Sequence, residues 1–340
     1  MVPPRRVLLA WLIVPALVSH PIVCVVGPTA SGKSALAQNI ALELDGEVIS
    51  ADSMQVYRGM DIGTGKVLEH ERLVAHHGFD LVDPGESFSA ALFQSYARAC
   101  FTDIDSRGKR SILCGGTGFY VRAAIDDYDF PAGEQVGNAI RDYYNAYAVD
   151  HGAHELWKLL EAMDPSSASI IPENDVKRVV RAFELLDAGE SYAEQRRKLA
   201  ELPQLYPAAF IGLDVSPDIL RNRIDSRVDA MVESGLVNEV QSLLDAGFRE
   251  GVTAPQAIGY NEIVASLDGR ISLDEAIDQI KTATHRYAKR QRTWFRKDKR
   301  ISWVKADTLN LDYMTQESLG IVATIDALEG ASHDASTELR

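Results

Sequence analysis

Residues 27–34 read GPTASGKS, which fits the pattern G-x-x-x-x-G-K-[ST]. The pattern requires a strand before it and a helix after it. PIVCVVG is a short β-branched run entering a glycine turn, and KSALAQNIALELDG has helical apolar periodicity with Gly46 read as its stop. Backbone N–H groups at such a helix start face phosphate oxygens, Lys33 adds a point charge, and the Ser34 hydroxyl is the expected Mg²⁺ ligand. Gly27, Pro28, Thr29, Ala30, Ser31, Gly32, Lys33 and Ser34 are therefore read as a phosphate cradle. The stretch leaves open which phosphate compound is held and whether a phosphoryl group moves.

EVISAD, RSILCGGTG and AAFIGLDV read as three further buried strands alternating with helices. That order implies a parallel α/β sheet with its ligand at the carboxyl ends of the strands. Asp52 ends the second strand, placed to organise Mg²⁺, to accept a proton from a nucleophile, or to cap a helix. Gly115, Gly116 and Thr117 repeat the strand-to-glycine turn and so line the same crevice, with Thr117 suited to bond a leaving oxygen or an acceptor. RNRIDSR puts Arg223 and Arg227 four apart on one helix face, a spacing for clamping one polyphosphate or for a solvated stripe.

Residues 126–207 look helical throughout and are read as a domain inserted between the third and fourth strands. One helix there, NDVKRVVRAFELLDAGE, has a polar start and Gly189 as its stop. The remaining divisions are an apolar extension (1–20), a core with C-terminal helices (21–125 and 208–307) and an acidic tail (308–340) whose last dozen residues are expected to be disordered. The extension holds an apolar run, Val7 to Val18, after Arg5 and Arg6, and so imitates a signal peptide. It is too short to span a bilayer, and no membrane partner is expected. Cys24, Cys100 and Cys114 form no CxxC or metal-ligand spacing, which suits buried thiols in a reducing cytoplasm.

A net charge of −14 argues against a nucleic-acid partner, because Lys and Arg dominate phosphate binding. The distribution reverses this. Residues 281–300, KTATHRYAKRQRTWFRKDKR, hold nine Lys or Arg against the single acid Asp298, leaving 26 basic and 48 acidic groups elsewhere. A basic strip on an acidic body marks a local anionic ligand.

Seven stretches in order, GPTASGKS, ISADSMQVYRGMDIGTGK, LCGGTGFY, NDVKRVVRAFE, GLVNEVQSLL, QAIGYNE and KRQRTWFR, together resemble the bacterial tRNA dimethylallyltransferase (tRNA isopentenyltransferase) family over about residues 22–305. The resemblance implies a P-loop NTPase-like parallel sheet core with an inserted helical tRNA-binding domain. It implies transfer of a dimethylallyl group from dimethylallyl diphosphate to N6 of adenosine 37, in the anticodon stem-loop of tRNAs reading codons that begin with U. It further implies Mg²⁺ as cofactor, a cytoplasmic location and a monomer. Residue by residue, the loop from Gly27 to Ser34 would hold the diphosphate with Mg²⁺ on Ser34, and Arg223 and Arg227 would clamp it from the other side. Asp52 would act as general base, and Thr117 would bridge donor and acceptor. The implied tRNA contacts are Asp52, Ser53, Met54, Gln55, Thr117 and Asn138; the segment Lys177, Arg178, Val179, Val180, Arg181; and the segment Gln256, Ala257, Ile258, Gly259, Tyr260, Asn261.

Two departures from the family pattern stand out. Val67 follows Lys66 where relatives have proline, and Asn138 stands near the place of a tRNA-contacting arginine, with Arg141 the nearest arginine. A small-molecule kinase would share the loop and the paired arginines but has no use for the basic strip. An adenylate isopentenyltransferase would share the core but needs no tRNA clamp, and a nucleotide-binding regulator would not need Asp52 and Thr117.

Overall fold

A computed structural model describes residues 18–130 and 138–337 of the chain. The signal-like run lies, up to residue 17, outside the described residues. From there on, the Ser19 backbone N–H and hydroxyl both donate to the Asp105 carboxylate.

By internal contacts the chain divides into two units, residues 1–126 with 205–340, and residues 127–204. The larger unit is built on β1 (Ile22–Val26), α1 (Lys33–Glu43), β2 (Gly46–Ser50), β3 (His76–His77), α2 (Ala90–Ser106), β4 (Arg110–Gly115) and α3 (Gly118–Ile125). The smaller unit holds α4 (Ala139–His151), α5 (Ala153–Met163), α6 (Pro165–Ala168), α7 (Val176–Asp187) and α8 (Tyr192–Ala200). The larger unit resumes with β5 (Ala208–Asp214), α9 (Pro217–Glu233), α10 (Leu236–Asp245), α11 (Tyr260–Leu267), α12 (Leu273–Phe295), β6 (Ile301–Lys305) and α13 (Leu311–Thr337).

All six strands run parallel in the order β3-β2-β4-β1-β5-β6. The central strands are buried on both faces, so their side chains alternate between two cores. Val23 and Val25 of β1 join Ile211 and Leu213 of β5 against Leu36 and Ile40 of α1 and Ile224 of α9. Ile22, Cys24 and Val26 join Phe210 against Phe93 and Phe101 of α2 and Val121 of α3. Cys24 and Cys114 are buried free thiols and Cys100 is half-buried. Burial pushes both Cys100 and Cys114 up to about 11.

Two expectations need correction. Gly46 does not stop α1: it opens β2, packed against the Arg110 carbonyl, and Asp45 takes the left-handed turn (φ 46°). The tail is helical from Leu311 to Thr337 rather than disordered at its end, with residues 338–340 outside the described set. Met314, Ser318 and Val322 of α13 are buried, one turn apart each, and Asp326 pairs with Arg110 at 2.6 Å. Residues 301–305, unassigned in the sequence reading, form edge strand β6.

The smaller unit has its own core of Leu156, Leu160, Val179, Val180 and Phe183, with Tyr144 stacked on Phe183 at 3.8 Å. The polar start of α7 is Asp175, whose side chain accepts from the Arg178 N–H. Gly189 follows the helix with φ 78°, as a C-terminal stop requires.

Candidate active site

The carboxyl ends of β1, β2 and β4 meet above the sheet, and main-chain bonds knit the last two together. Ala51 N–H donates to the Cys114 carbonyl (2.8 Å) and Thr117 N–H donates to the Ala51 carbonyl (3.3 Å). Ser53 N–H then donates to Thr117 Oγ1 at 3.2 Å, so the hydroxyl of one strand end is fixed by the backbone of the other. Between them, one Asp52 oxygen accepts the Met54 N–H at 2.9 Å. The other oxygen has no hydrogen-bond partner among the described residues.

The loop at the end of β1 carries the positive charge. Lys33 Nζ donates to the Pro28 carbonyl at 2.6 Å. Burial pushes its ammonium down to about 8, the adjacent Arg227 guanidinium adds to that push, and Cys114 and Asp52 oppose it. Burial also works against the charge of Arg227, with Asp52 its stabilising neighbour. Two desolvated cations are thus answered by one carboxylate. The buried Ser31 hydroxyl has no hydrogen-bond partner among the described residues. This donor set fits a polyphosphate, whose oxygens would restore the missing negative charge.

The two arginines read as one clamp do different things. Arg227 lies over Gly65, whose φ of 62° and lack of a Cβ leave room for the guanidinium. Arg223 donates to the carbonyls of Ala306 and Asp307 and so pins the turn after β6.

The segment 61–66 is held as a small knot. Glu239 of α10 accepts from the N–H groups of Asp61 (3.0 Å), Ile62 (2.7 Å) and Gly63 (3.2 Å) and from the Tyr260 hydroxyl (2.6 Å). Lys66 is buried and donates to Asp61, Asp80 and the Tyr57 carbonyl. Val67 follows without disturbing this arrangement, its carbonyl accepting from Arg72 Nε at 3.1 Å. Gln55 is committed as well, accepting from Ser50 Oγ and donating to the carbonyls of Thr64 and Gly65.

The implied tRNA contacts therefore need sorting. Val179, Val180, Ala257 and Tyr260 are buried in cores, which leaves their segments to meet a ligand through other side chains or the backbone. Gln256 and Asn261 are exposed beside them, as are Lys177 and Arg178 within the smaller unit. Arg178 pairs with Asp175. Arg141 (2.6 Å) and Arg181 (3.0 Å) share the buried Glu184 carboxylate, and Asn138 caps α4 by accepting from Ile140 N–H.

Helix α12 supplies what sequence reasoning missed. Gln291 accepts from Thr29 N–H (2.8 Å) and donates to the Gly116 carbonyl (3.0 Å). One turn earlier, Tyr287 is half-buried, and burial pushes its hydroxyl up. Another face of the helix, with α9, borders a groove of about 460 Å³ lined by Arg221, Arg286, Lys289, Arg292 and Arg296. Gln291 and Glu239 both lie inside quoted motifs, KRQRTWFR and GLVNEVQSLL, which was the available signal.

A family model described as IPP transferase matches residues 55–298, and one described as isopentenyl transferase matches residues 20–76. The chain belongs to the tRNA dimethylallyltransferase family. It is 46% identical over 303 residues to a tRNA dimethylallyltransferase of Carboxydothermus hydrogenoformans, covering 88% of this chain and 96% of that protein. It is 48% identical to one of Geobacillus thermodenitrificans, covering 83% and 89%. Among solved structures it resembles the full-length tRNA isopentenylpyrophosphate transferase of Bacillus halodurans, with TM-score 0.66, 40% identity and coverage of 92% and 99%. A eukaryotic dimethylallyltransferase solved acting on tRNA superposes with TM-score 0.73 at 28% identity, covering 88% of this chain and 77% of that one. The six-stranded parallel sheet is thus the P-loop NTPase-like core expected of the family.

Proposed function

We propose that this chain is a tRNA dimethylallyltransferase that moves the dimethylallyl group of dimethylallyl diphosphate to N6 of adenosine 37 in tRNAs reading UNN codons. The charge imbalance at the loop carries the reading: Lys33 and Arg227 share one neighbouring carboxylate, Asp52, and one oxygen of it has no hydrogen-bond partner among the described residues. In the reaction the allylic C1–O bond breaks and its electron pair leaves with the diphosphate. The N6 lone pair forms the new C–N bond, and an N6 proton passes to Asp52. An aromatic amine is a weak nucleophile, so a carboxylate within reach lowers the barrier as positive charge grows on nitrogen. Lys33, Arg227 and the loop N–H groups stabilise the leaving diphosphate.

Mg²⁺, with Ser34 as its protein ligand, would supply further charge neutralisation on the diphosphate. Ser34 is exposed at the start of α1, and no cluster of three acidic, His or Cys side chains suited to a metal occurs among the described residues. That donor set fits an ion held mainly by phosphate oxygens and water. The exposed cations of α12 are suited to the anticodon stem-loop backbone, and the base must be extruded to reach Asp52. The reading includes a monomer working in the cytoplasm.

The test is direct. The protein, dimethylallyl diphosphate, Mg²⁺ and unmodified tRNA should yield isopentenyladenosine in a nucleoside digest. Asp52→Ala should lower kcat about 100- to 10,000-fold while leaving tRNA affinity near the wild-type value. Phosphoryl transfer from ATP in place of allyl transfer would favour the kinase reading instead.

A further inference from the structure

We infer that Gln291 is a positioning residue, whose side-chain amide sets the separation between the diphosphate loop and the turn that carries Thr117. The inference rests on the transferase reading above. Thr29 lies on the loop after β1 and Gly116 on the turn after β4, and Gln291 of α12 joins them by two bonds of 2.8 and 3.0 Å. The side chain is buried at 5% exposure, so neither bond is exchanged cheaply for water.

Only a carboxamide of this length fits the place. It must accept at one end, from Thr29 N–H, and donate at the other, to the Gly116 carbonyl. Glutamate has no donor and would set a carboxylate oxygen against that carbonyl, and leucine would leave both backbone groups unpaired. Gly116 is matched to it: a Cβ there would overlap Gln291 Nε2. Tyr287, one turn before Gln291 on α12, is half-buried. The same helix turns Arg286, Lys289 and Arg290 to solvent, so the element offering cations to RNA also fixes the spacing of the two reacting sides.

The experiment compares wild type, Gln291→Leu, Gln291→Glu and Gly116→Ala. Each is measured for thermal unfolding, tRNA affinity, inhibition by inorganic diphosphate with Mg²⁺, single-turnover rate, and hydrogen exchange in the peptide holding Thr29. In the folded variants tRNA and diphosphate affinities should stay within about threefold of wild type, while the single-turnover rate falls on the order of 100-fold. Exchange at Thr29 should quicken in Gln291→Leu. Gly116→Ala, which displaces the amide without removing it, should reproduce the rate loss, and the double variant Gly116→Ala/Gln291→Leu should lose little more than either single one. Additive losses in that cycle, an unchanged rate in any folded variant, or a loss confined to tRNA affinity would overturn the inference. If wild type itself makes no isopentenyladenosine, the transferase reading fails instead, and the exchange at Thr29 still reports on the bridge.

Discussion

Lys33 is held charged against its surroundings, and the consequence is measurable. Below about pH 8 the free protein already carries this proton, so binding diphosphate takes up none. Above that value the free lysine loses it, and a bound polyanion must draw it back. Affinity for Mg²⁺-diphosphate should therefore fall as pH rises beyond about 8, by up to tenfold per pH unit. Calorimetry in buffers of different ionisation enthalpy should show proton uptake rising toward one, and Lys33→Met should abolish that rise. The unfolded chain keeps its lysine proton up to the ordinary value of 10.5, so stability of the free protein should increase between about 8 and 10.5. At this scale the sequence marked Lys33 and Asp52, because a phosphate loop and a strand end are fixed by local pattern. It could not separate Arg223 from Arg227, or exposed Lys177 from buried Val179, because such choices depend on what packs against each helix face.

Helix α12 shows how one element serves several surfaces. Ser272 and Glu275 form a reciprocal cap at its start, and Ala276, Ile280 and Phe295 are buried. Of the nine cations in residues 281–300, several are already committed: Lys281 pairs with Asp229 at 2.6 Å, and Arg300 with Asp126 at 2.6 Å. The exposed Arg290 and the groove-lining Arg292 remain suited to RNA phosphates. Arg290→Ala and Arg292→Ala should each weaken tRNA binding and reduce the slope of log affinity against log salt by about one. Fluorescence anisotropy across about 50–200 mM salt would measure it, and an unchanged slope would remove these residues from the interface. The helix and its charge were legible in the sequence. Strand β6 was not, because an edge strand of five residues shows only Ile301 and Val304 buried and lacks regular alternation.

Across the whole larger unit, the chain leaves after Asp126 and returns at Leu205, and a buried ion cluster ties the exit point down. Asp126 is fully buried and accepts from Arg122 Nε (2.7 Å) and Arg300 Nη1 (2.6 Å), while the Arg300 guanidinium lies over the Phe210 ring at 4.4 Å. Asp126→Asn would remove the charge that Arg122 and Arg300 share while Arg300 keeps Asp298, and should cost about 1–3 kcal/mol, read from denaturant unfolding. Helix α13 was missed because its composition is acidic and rich in small residues, although Leu311, Met314, Ile321, Val322 and Ile325 repeat at helical spacing. Short-range signals therefore determined the phosphate loop, the alternating strands and helices, the inserted helical segment and the basic strip, each of which is written in contiguous residues. Long-range packing alone decided that Gln291 spans two loops, that Glu239 gathers three backbone N–H groups, and that the tail folds back as a helix. Those contacts join residues up to 262 positions apart, and no local pattern encodes which partner a buried amide or carboxylate will meet.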